Sequence, residues 1–135
     1  MEISAESART AGILLIAIVT VEFGGWYMLR VVTGREQLTD FQRAFARAGH
    51  AHAGVLVTLG LVCQLFVDAT DLSGLLRVLA RSGVPLAAIL MSAGFFFSSA
   101  GRGRTRPNRW IVLLYAGIAM LTLGVVSLGL GLLTT

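Results

Sequence analysis

Four apolar stretches constrain this chain more than any other feature. They lie within residues 10–32, 40–68, 73–100 and 110–133. Each contains close to the roughly 20 residues that an α-helix needs to cross a bilayer. Backbone inside lipid must satisfy its own hydrogen bonds, and runs of this length do so as helices. Composition agrees: 56% of the 135 residues are hydrophobic, 13% are charged and the mean hydropathy is +0.80. So little charge would leave the surface of a soluble domain poorly solvated. The expected fold is all-α, an integral membrane protein with four transmembrane helices in one bundle over residues 1–135. In the third stretch the span proper begins at about residue 84. No room is left for a separate soluble domain.

The first stretch does not read as a cleavable leader. Glu2 and Glu6 precede it with only Arg9 as a base, and its apolar run is too long. Thr39-x-x-Gln42 resembles a capping box and marks the start of the second helix. From Asp40 to Asp68 that helix would measure roughly 40 Å, more than the hydrocarbon core, so its first turns belong among headgroups. Pro85 either opens the third span or kinks a longer helix.

The basic residues are all arginine and they are unevenly placed. Arg30, Arg35, Arg43, Arg47, Arg102, Arg104, Arg106 and Arg109 border the first and third loops; Arg9, Arg77 and Arg81 lie on the other side. Eight against three predicts, by the positive-inside rule, loops 1 and 3 in the cytoplasm and both termini on the outer side. Helix 2 is then the one extended on the cytoplasmic side. The same rule accounts for the net charge of +4 without a nucleic-acid partner. Arginine without lysine suggests coding bias toward a GC-rich genome. The expected location is a bacterial cytoplasmic membrane. Arg102, Arg104, Arg106 and Arg109 are also a candidate contact for anionic lipid.

Within the spans, Glu22 is the sharpest signal. A carboxylate facing lipid near the midplane costs several kcal/mol, so the expectation is that it faces the bundle interior, pairs, or carries a proton. Its own helical face, Leu15, Ile18, Trp26 and Leu29, supplies no partner. Tyr115 and Thr122 of helix 4 are candidate hydrogen-bond donors to it. His50 and His52 are two residues apart, which at about 100° per residue sends them to nearly opposite sides of a helix. His50 shares an interrupted polar stripe with Gln64 and Asp68. Counted from the cytoplasmic boundary, a histidine and Glu22 differ in depth by roughly 4 to 8 Å, within reach of side chains and helix tilt. A Glu-His pair would exchange protons near neutral pH. Gly117, Gly124 and Gly131 recur at seven-residue spacing and form a face for close helix packing. Cys63 stands alone, which excludes an internal disulfide framework.

In size, in its four spans and in an acid in the first of them, the chain resembles the small multidrug-resistance transporters. The likeness is architectural, matches no motif beyond Glu22, and carries over no functional residue. The run Gly49-His-Ala-His-Ala-Gly54 resembles, loosely, histidine-bearing helices of haem-binding membrane subunits.

The reading is a small transporter or channel with a protonatable site drawn from Glu22, His50, His52, Gln64, Asp68 and Tyr115. It requires no cofactor, and it works as a homo-oligomer in the lipid bilayer. No catalytic motif is present, which points away from an enzyme. The alternative is a redox protein in which His50, His52 and Glu22 hold a transition metal or the histidines hold haem. A third reading is an accessory subunit of a larger membrane complex.

Overall fold

A computed structural model describes residues 3–135. It is all-helical, with α1 (Ala5–Val32), α2 (Asp40–Val67), α3 (Gly74–Ser99) and α4 (Ile111–Leu133). Each helix is long and apolar enough to cross a membrane.

The helix ends follow local hydrogen-bond chemistry. α1 begins five residues before the position that hydropathy alone suggests, because Ser4 caps it by accepting the Ser7 amide at 3.2 Å. The capping box on α2 is complete: Thr39 Oγ1 accepts the Gln42 amide at 3.2 Å, and Gln42 Oε1 accepts the Thr39 amide at 3.3 Å. The other end of the Gln42 amide donates to the Ser99 and Gly101 carbonyls at 2.9 and 2.7 Å. Thr39 Oγ1 also donates to the Arg104 carbonyl. Loop 1 and the arginine-rich loop are thereby tied together. Before α4, Asn108 closes the turn with its amide on Ser98 and its side chain on Phe97, both at 2.9 Å.

α3 runs unbroken through Pro85. Proline has no N–H, so the carbonyl four residues earlier loses its helical partner. That carbonyl belongs to Arg81, and Gln64 Nε2 of α2 donates to it at 2.9 Å.

α1 packs on α2, α2 on α3, and α3 most extensively on α4, with a lesser contact between α2 and α4. Among the described residues, α1 and α4 share no packed interface. The bundle is therefore open along one edge. Its core is built of small and medium residues, including Val57, Ala80, Val84, Ala87, Ala88 and Leu128. Backbones touch where α3 crosses α4: a Cβ on Gly83 would lie 2.6 Å from Gly124 Cα, and one on Gly117 would lie 2.8 Å from Met91 N. A Cβ on Gly131 would press on Leu72 at 2.6 Å. Lipid supplies no hydrophobic drive between helices, so this close van der Waals approach is what holds them together. The face of Gly117, Gly124 and Gly131 is thus occupied within the chain.

Candidate functional site

The contacts between helices set a common level for the titratable side chains. On α1, Gly24 and Gly25 face α2, and the His50 ring occupies the space they leave. A Cβ on Gly24 would fall 2.9 Å from His50 Nδ1, and one on Gly25 would fall 3.7 Å from Nε2. One turn away Val21 meets Gly54. On the opposite side of α2, the His52 ring packs on Phe95 of α3 with centroids 5.0 Å apart. His52 Nδ1 lies 2.7 Å from the Ala48 carbonyl, which can only accept, so this nitrogen carries the proton and Nε2 is left free. Gly94 beside Phe95 lies against the backbone of Leu114, the residue before Tyr115. Glu22, His52 and Tyr115 therefore share a level while facing different ways.

Glu22 does not face the bundle interior. It is exposed on α1, in a shallow depression with Val19, Phe23 and Trp26. Helical phase explains the correction. Leu14, Val21, Gly24, Gly25 and Val31 set the inner face of α1, and Glu22 follows Val21 by one residue. At about 100° per residue, that turns it away from α2. Among the described residues it forms no ion pair, with His50, His52 or any arginine. Tyr115 is 64% exposed on α4 and cannot serve Glu22 in its own chain, because α1 and α4 do not pack. Thr122 donates to the Ile118 carbonyl at 3.0 Å.

The donors of the metal reading also diverge. Among the described residues, no three His, Cys, Asp or Glu side chains gather closely enough to hold an ion.

Gln64 and Asp68 belong to a different, structural arrangement. Gln64 is 1% exposed, and its amide nitrogen serves the carbonyls of Gly60 at 3.1 Å and Arg81 at 2.9 Å. Asp68 caps α2 and gathers one end of the bundle. Its carboxylate accepts the Ser4 amide at 2.8 Å and the Ser4 hydroxyl at 3.0 Å, and pairs with Arg77 and Arg81 at 3.2 Å each. Arg81 reaches Glu6 as well. Burial would raise the Asp68 pKa, but the hydrogen bonds from the Ser4 amide, from serine hydroxyls and from Arg81 outweigh it and hold the carboxyl below its usual range. The sequence reading missed Ser4, Arg77 and Arg81 as partners of Asp68, and Glu6 as a partner of Arg81. Their only sequence signal was opposite charges near the ends of three helices.

In the arginine-rich loop, Arg104 folds back so that Nε donates to the Ala100 carbonyl at 2.6 Å. Arg102 and Arg106 are exposed, and Arg109 stacks over Trp110 at 5.7 Å.

No protein-family model, no curated protein sequence and no solved structure matches this chain.

Proposed function

We propose that this integral membrane protein is a small multi-pass transporter or channel, active as a homo-oligomer, in which Glu22 is the protonatable group. Protonation of Glu22 alternates with binding of a substrate or ion. One observation carries the reading: Glu22, without a partner among the described residues, stands on an apolar, outward face near the middle of a spanning helix. A charged side chain at the bilayer centre costs roughly 2.5–3.5 kcal/mol on insertion scales, and such groups are commonly kept for a task. Because His50 and His52 are engaged with other helices, the partner of Glu22 comes from outside its own chain. The arginine distribution supports an orientation with loops 1 and 3 and the start of α2 in the cytoplasm and both termini outside, in a bacterial cytoplasmic membrane. The exposed loop arginines, with Arg109, suit contact with anionic headgroups there.

The test is proton or solute flux into liposomes holding the purified chain. Glu22→Gln abolishes the flux on this reading, and an unchanged flux refutes it.

One observation favours the metal or haem alternative: the His50 imidazole forms no hydrogen bond among the described residues, leaving a ring nitrogen free to ligate. A visible spectrum and metal content lost in His50→Ala would support it.

A further inference from the structure

We propose that a second copy of this chain covers the outward face of α1, and that the Tyr115 hydroxyl of that copy is the hydrogen-bond partner of Glu22. This deepens the transport reading, on which it rests for the importance of Glu22.

Three observations converge. First, the bundle is open. α1 and α4 lie at its two ends, joined through α2 and α3 but not to each other. Each copy therefore offers one unpaired α1 face and one unpaired α4 face. Second, the α4 face on offer is its outer one. Gly117 and Gly124 of α4 are occupied by α3 and Gly131 by Leu72, while Tyr115, Ile118 and Val126 remain exposed. Third, the two polar groups match in level and in chemistry. The succession of contacts from Val21 on Gly54, through His52 on Phe95, to Gly94 on Leu114 carries the level of Glu22 across to Tyr115. The carboxylate of Glu22 only accepts, and the Tyr115 phenol donates. Neither has a hydrogen-bond partner within its own chain among the described residues.

Geometry suits the pairing. With four successive spans, α1 and α4 run in opposite directions, so copies inserted with the same orientation meet through antiparallel helices. The face of α1 and the face of α4 are different surfaces, so the contact is head-to-tail and repeats from copy to copy until it closes into a ring. Val19, Phe23 and Trp26 around Glu22 would pack against Ile118 and its neighbours and keep the pair dry.

Cross-linking in native membranes tests the contact. In a Cys63→Ala background, which removes the one native thiol, Val19→Cys and Ile118→Cys are combined in one chain. These positions lie one turn from Glu22 and from Tyr115, toward the same end of the bundle. A disulfide needs Cα atoms within about 7 Å, and among the described residues α1 and α4 of one chain share no packed interface. Mild oxidation should therefore give a ladder of dimer and higher species. Adding Tyr115→Phe should slow its formation about fivefold, the worth of one hydrogen bond. Monomer alone from a protein that purifies as folded would overturn the proposal. So would dimers from Val19→Cys without Ile118→Cys, which would place α1 against α1. A ladder that persists while Glu22→Gln leaves flux unchanged would sink the transport reading and leave the contact standing. Flux that depends on Glu22 without a ladder would do the reverse.

Discussion

The side-chain amide of Gln64 donates at 2.9 Å to the carbonyl of Arg81, the one carbonyl in α3 that Pro85 deprives of its helical partner. A proline in a spanning helix is tolerated when a neighbouring group takes over the freed acceptor. Here that group is a glutamine buried on the adjacent helix. Removing one side of such an arrangement strands the other, at about 1–3 kcal/mol for a buried unpaired group. Gln64→Leu should therefore lower the midpoint of thermal unfolding in detergent. Pro85→Ala restores an N–H to the Arg81 carbonyl, so Gln64→Leu should do less damage in that background. Strictly additive effects in the double variant would contradict this pairing.

The seat of His50 makes a second prediction. A methyl group at Gly24 would lie 2.9 Å from His50 Nδ1, and one at Gly25 would clear the ring at 3.7 Å. Gly24→Ala should destabilise by about 1–2 kcal/mol through overpacking. Gly25→Ala should be neutral, or should gain up to about 1 kcal/mol of helix propensity. In His50→Ala the difference between the two should vanish. Unfolding curves for the four variants decide it; equal behaviour of the two glycines beside an intact His50 would be inconsistent with the observed packing.

Asp68 predicts the response to acid. Its folded-state pKa is lowered, so its contribution to stability is complete above the unfolded-state value of about 3.9 and is lost as pH falls through the folded value. The unfolding midpoint should drop as the pH is lowered past about 4, and Asp68→Asn should flatten that part of the profile while lowering stability at neutral pH. A variant as acid-sensitive as the parent would show that the Ser4–Asp68–Arg81 junction does not supply the effect.

The sequence was most informative where one physical constraint dominates. Length and hydropathy place four helices, Thr39 and Gln42 locate the start of α2, and the spacing of Gly117, Gly124 and Gly131 marks a packing face. Helical phase also separates His50 from His52 without any tertiary information. What could not be read was which side of α1 turns inward. Leu15, Ile18, Trp26 and Leu29 are as apolar as Leu14, Val21 and Val31, and in lipid both faces are permitted. The expectation that an acid faces inward therefore carried Glu22 to the wrong side. The glycine pair held the missing clue, because close approach occurs where side chains are absent. Gln64 and Asp68 were legible as polar groups in a span but not as structural ones. That role depends on Pro85 and on Ser4, which are remote in sequence.

The claim that Glu22 acts at a contact between copies has one most direct measurement. Glu22→Gln and Tyr115→Phe chains are mixed, co-purified as oligomers and reconstituted for flux. If the acid of one copy works with the phenol of the next, mixed oligomers contain contacts that join an intact Glu22 to an intact Tyr115, and their flux exceeds the average of the two variants measured separately. Flux equal to that average would mean that every copy works alone, and would contradict the account.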